Sequence, residues 1–181
     1  MSKYKIDHVE ELNEAHLQEG VYLVLMHALT IPPHLLLIIS GKVFSISTMG
    51  PAVDEEIRRY LTLIKKRRIK TLFIKIEIPE LFTTTELQEK IRRITLEYPR
   101  VDVGVATCLS PIKDFCGETL MIDRDQILLV FDLLDSLKKH EAVSACYHLN
   151  LEQEIRLASI SLDRYSVFEV NEAIFSVAER I

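Results

Sequence analysis

Cys108 and His34 are the residues of this chain whose type and setting could do covalent chemistry. Cys108 stands directly before Leu109-Ser110-Pro111. Proline is favoured in the first turn of a helix, so the thiol is expected at or just before the N-terminus of a short helix, with Gly117 past its end. A helix N-terminus and a nearby imidazole lower a thiol pKa from about 8.5 toward neutrality, and the thiolate attacks an acyl carbon. The N–H groups opening such a helix also stabilise an oxyanion. His34 follows Pro32-Pro33, which hold the chain extended, so its ring enters a strand at a fixed point where it can act as a base. Cys146 and His148 alternate along one stretch, share a strand face and make a second, lower-ranked thiol–imidazole pair. Cys116 is expected to pack, His27 to be a core histidine or to line the His34 pocket, and His8, His16 and His140 to lie at the surface. Cysteine is also among the most often buried residue types, so a non-catalytic reading stands beside the enzymatic one.

The elements that must position these groups follow from apolar spacing and breakers. Residues 7–18, with Val9, Leu12, Ala15 and Leu17, predict an amphipathic helix ended near Gly20. The continuous apolar run Val21 to Met26 predicts a buried strand. Residues 35–47 predict a hairpin turning at Ser40-Gly41. After Gly50-Pro51, Asp54 is expected to cap a helix carrying Ile57, Tyr60, Leu61 and Ile64 and ending in Lys65-Lys66-Arg67-Arg68, a solvated basic helix end. Thr71 to Ile78 is a strand closed by Pro79, and Thr85 with Gln88 opens a helix to about Tyr98. Val101 to Thr107 is a short strand or extended segment. Asp123 with Gln126 caps a helix whose core face is Ile127, Val130, Phe131, Leu134 and Leu137. Val143 to Leu149 and Ile160 to Phe168 predict strands around a helical turn from Glu152 to Arg156, and Val170 to Arg180 a closing helix.

With 181 residues, 48% of them hydrophobic, the chain is expected to form one domain over residues 1–181. A net charge of −5 argues against a nucleic-acid partner. No stretch approaches the roughly 20 apolar residues of a membrane span, Met1 to His8 carries no apolar signal region, and the protein is expected to be cytoplasmic. Three cysteines without Cys-x-x-Cys spacing imply free thiols, with no disulfide framework and no zinc site. No phosphate-cradling glycine loop, HExxH string or serine elbow is present, and His34, His27 and Asp54 lack metal-ligand spacing, so no cofactor and no metal are expected.

The order of features, an apolar strand, a histidine opening a strand-Gly-strand unit, a helix, a strand, a helix and then a cysteine before a short helix, resembles the circularly permuted papain-like hydrolases. These are the relatives of the NlpC-type peptidases and of lecithin retinol acyltransferase. In that group the histidine precedes the cysteine, and here Cys108 follows His34 by 74 positions. The resemblance covers roughly residues 20–117. It implies Cys108 as nucleophile, His34 as its base, and Ser45, Ser47 or Thr48 as the residues left to orient the ring. The family's Gly-Asp pair leading the first strand stands here as Gly20-Val21. The expectation is therefore an α+β (α/β) domain with a mixed central sheet flanked by helices, in a cysteine-dependent hydrolase or acyltransferase. Its substrate would be an acyl or peptide-like small molecule carrying an amide or ester. The alternative is a non-catalytic α/β domain that binds a protein partner.

Overall fold

A computed structural model describes residues 2–178, in which nine strands and five α-helices alternate with two 3-10 turns. Seven strands form one mixed sheet in the order β2-β8-β7-β3-β4-β5-β6. They are β2 (Val9–Glu11), β3 (Val21–Met26), β4 (His34–Ile39), β5 (Lys42–Ser47), β6 (Gly50–Glu56), β7 (Thr71–Ile76) and β8 (Val143–Leu149). Neighbours are antiparallel except the edge pair β2 and β8. β1 (Lys3–Asp7) and β9 (Ser159–Asp163) form a separate antiparallel ribbon.

The central strands β3 and β4 are apolar throughout because both faces are covered, and strand alternation sends odd and even residues to different cores. Leu23, Leu25, Leu35 and Leu37 face the larger core. It is built from α2 (Thr84–Leu96), α3 (Ser110–Leu120), α4 (Val130–Lys139) and α5 (Val167–Ala178). Tyr22, Val24, Met26, Leu36 and Ile38 face the smaller one, closed by Ile57, Leu61 and Ile64 of α1 (Ile57–Lys66). The β4–β5 turn is Ser40-Gly41, both with positive φ (46° and 79°), as a primed hairpin turn requires.

Several boundaries differ from the sequence expectations. Residues 7–18 are not a helix. The alternation Lys3-Tyr4-Lys5-Ile6-Asp7 makes β1, His8 turns the chain at φ 56°, and β2 and the 3-10 turn Glu14–Gln18 follow. Asp54 does not cap α1. It sits in β6 at φ 57°, where three residue steps of β6 oppose two of β5, a bulge, and its carboxylate takes Nε and Nη2 of Arg92 at 2.5 and 2.8 Å. Pro51 is accommodated because β6 is an edge strand. The capping box of α2 is Thr83–Glu86, while Gln88 donates to the Ile39 carbonyl at 3.0 Å.

Gly117 lies inside α3, where a Cβ would come within 2.6 Å of the Arg124 side chain. Asp123 caps only the 3-10 turn Arg124–Gln126, and α4 starts four residues later. The last strand stops at Asp163 because Ser166 and Glu169 form a reciprocal cap that starts α5 at Val167. Of the closing helix expected to Arg180, residues 179–180 lie outside those described. No helix among the described residues is long and apolar enough to cross a membrane.

Candidate functional site

Cys108 sits just before Leu109, the N-cap of α3, as its spacing to Pro111 predicts. The preceding turn is held by side chains. Ser110 Oγ accepts from the Thr107 N–H at 3.0 Å, and Thr107 Oγ1 accepts from the Leu109 N–H at 3.2 Å. The thiol points into a cavity of about 80 Å³ beneath α5, walled by Pro33, Leu35, Leu129, Tyr165, Val170 and Ile174 among others. Its Sγ lies 4.0 Å from the Pro33 carbonyl oxygen, a long, weak hydrogen bond. Burial pushes the Cys108 thiol up. The main-chain N–H groups of Leu35, Cys108 and Leu109 pull it down, but by less. A helix N-terminus acidifies a thiol only where desolvation does not outweigh it, and in this apolar pocket it does. The neutral thiol is the stable form at neutral pH.

His34 is not beside it. The residue opens β4 directly opposite Met26 of β3, and opposed residues share a face. Met26 belongs with Leu36 and Ile38 to the α1 core, whereas Leu35 and Leu37 belong with Cys108 to the α2–α5 core. One residue of strand phase therefore puts the imidazole and the thiol on opposite sides of the sheet, and the expected nucleophile–base pair is not assembled. The half-buried His34 ring has its pKa lowered, first by burial and then by the charge of His27.

The orienting candidates are also engaged elsewhere. Ser45 is buried beside the Tyr60 phenol, and Ser47 Oγ accepts from the Met49 N–H at 3.1 Å while donating to the Gly50 carbonyl at 3.3 Å. Thr48 lies in that same turn. The β4–β5 ladder ends at Leu37–Phe44, short of His34, and among the described residues none of these hydroxyls hydrogen-bonds to the ring.

Cys146 and His148 do share a face, opposite Ile74 and Leu72. Both are buried, at 4% and 6% exposure. Burial raises the Cys146 thiol to about 12, against a smaller opposing pull from Lys138. His148 Nδ1 has no hydrogen-bond partner among the described residues. A groove of about 560 Å³ reaches Cys146 between β1, β2, β8 and α4, with Asp7, Glu10, Lys138 and Ser144 on its walls. Cys116 is fully buried on α3 and also raised to about 12. His8, His16, His27 and His140 are exposed.

The closing helix α5 is expected from the sequence, but its exposed aromatic face is not marked by any chemistry-bearing residue. Its sequence, Val-Phe-Glu-Val-Asn-Glu-Ala-Ile-Phe-Ser-Val-Ala, has only Glu169 and Glu172 as charges. Val170 and Ile174 pack inward, yet Phe168 and Phe175 stand 68% and 57% exposed on the other side. With Val103 from the 102–106 loop they line an open groove of about 610 Å³. Asn171, Glu172 and Ser176 share that outward face, so it is mixed, with two aromatic rings uncovered beside polar side chains. Compared with family models, curated proteins and solved structures, the chain matches none.

Proposed function

We propose that this chain is a non-catalytic α+β domain that binds a protein partner through the outward face of α5. The observation that carries this reading is the pair Phe168 and Phe175, one heptad apart and both exposed beside Val103. Seven residues of helix separate them by about 10 Å, the spacing at which an amphipathic helix presents successive anchors. Between them stands Glu172, exposed and without an ion pair among the described residues. An antiparallel two-fold pairing of α5 with its own copy would set two Glu172 carboxylates against each other at its midpoint, which costs affinity. A partner helix carrying apolar anchors and a lysine or arginine between them satisfies both features.

The test uses the full chain and a synthetic amphipathic peptide of leucine and lysine at heptad spacing, followed by fluorescence anisotropy. Two aromatic anchors predict that Phe168→Asp/Phe175→Asp weakens binding about a hundredfold or more. The melting temperature should stay near wild type, because both rings face solvent. Unchanged binding in the double variant, or no binding to wild type, defeats the reading. Sedimentation showing a wild-type dimer that the double variant abolishes would assign the face to a second copy instead.

A further inference from the structure

We infer that the outward face of α1, on the opposite side of the sheet from α5, docks an acidic segment of a protein partner. Between Ile57 and Arg68 the chain carries six cations and no acid, against a whole-chain net charge of −5, which leaves −11 on the remainder. The inward stripe Ile57, Leu61 and Ile64 is buried. That orientation forces Arg58, Arg59, Lys65 and Lys66 outward, and Arg67 and Arg68 continue the ridge past the C-cap. Lys65 pairs with Glu14. The other five cations form no ion pair among the described residues.

An open groove of about 770 Å³ runs along the N-terminal half of this ridge, with Gln18, Arg58, Arg59 and Thr62 on its walls. Its one carboxylate, Glu56, is engaged by Lys42. The groove thus offers guanidinium and amide donors to an incoming carboxylate and little that repels it.

The chemistry of the face selects among anionic partners. No large apolar side chain is exposed on α1 for a bilayer to receive. Tyr60 is half-buried and donates its phenol to Glu55 at 2.6 Å, so it is not free to stack on a base. The surrounding −11 repels any extended polyanion that reaches beyond the ridge within a Debye length of about 8–10 Å. A short acidic peptide covers the ridge, about 15 Å of helix, without meeting that field.

A fluorescent peptide of glutamate and aspartate is the probe, titrated with the full chain. Wild type should bind it at about 0.02 M salt and lose about tenfold by about 0.2 M. Arg58→Glu/Arg59→Glu should weaken binding at least about tenfold, while Lys139→Glu/Arg156→Glu, with the same net charge, should stay within about twofold. Equal losses in the two variants would reduce the effect to net charge and overturn the proposal. So would the absence of binding at low salt, or tighter binding of duplex DNA or of phosphatidylserine vesicles than of the peptide.

Discussion

His34 sits in a site that resists its protonation, and the consequence is measurable. Burial, with the neighbouring His27 charge acting in the same direction, holds its folded-state pKa below the ordinary histidine value. In the unfolded chain the ring titrates near 6.5. Well above that pH the ring is neutral in both states and contributes no pH dependence. Below it the unfolded chain takes up a proton that the folded chain refuses, so the unfolded state binds more protons and stability falls as pH falls. The loss runs from about pH 6.5 down to the folded-state pKa, with a slope of at most about 1.4 kcal/mol per pH unit. Replacing His34 by Leu removes the titration and leaves an apolar side chain on the face shared with Met26 and Leu36. Urea unfolding of both proteins across pH 5 to 8 should give a stability difference that is flat above about pH 7 and widens in favour of His34→Leu below about 6.5. Parallel stability curves through that window would refute the placement of the ring in a desolvated site.

Two further outcomes test the thiol. Cys108 should react with iodoacetamide at pH 7 more slowly than a free thiol, which is about 3% thiolate there. His34→Ala should leave that rate unchanged, since the ring lies across the sheet; a several-fold slowing, mapped by mass spectrometry, would restore the imidazole as its base. With p-nitrophenyl esters, wild type should release no burst of nitrophenol above a Cys108→Ser control, and a burst near one equivalent that the serine variant abolishes would return the acyl-transfer reading.

The hairpin, the buried strands β3 and β7, the half-exposed strand β8 and the basic end of α1 are legible in the sequence, because apolar runs, a Ser-Gly turn and a charge run act locally. The N-terminal segment is not. Val9, Leu12, Ala15 and Leu17 fit a helical period, yet pairing of Val9 with Cys146 and of Tyr4 with Leu162, far apart in sequence, overrides that local preference. The position of His34 relative to Cys108 is not legible for a similar reason. The spacing around Pro111 correctly put Cys108 before a helix, and Pro32-Pro33 correctly put His34 at a strand mouth. Which face of β4 meets α3 is a matter of one residue of phase, and the alternation Leu35, Leu37, Ile39 against Leu36, Ile38 is apolar in both phases. A strand buried on both sides carries no sequence mark that tells its faces apart.

The same two-sided burial bears on how the domain can engage others. Strand addition needs an open edge, and both edges of the large sheet are poor templates. β2 is three residues long, and β6 carries Pro51 and the Asp54 bulge. The two faces proposed here for partners are instead outward faces of helices, and these differ in kind. Among the described residues, α5 presents aromatic rings around a carboxylate without an ion pair, and α1 presents cations of which only Lys65 is paired, with no exposed large apolar side chain. A ligand suited to one is unsuited to the other, since the apolar anchors that would fill the α5 groove find no pocket on α1 and an acidic segment meets Glu172 on α5. On the proposed reading, the sheet spaces two recognition faces of opposite chemistry, and occupancy of one should leave affinity at the other unchanged unless the rigid core between them moves.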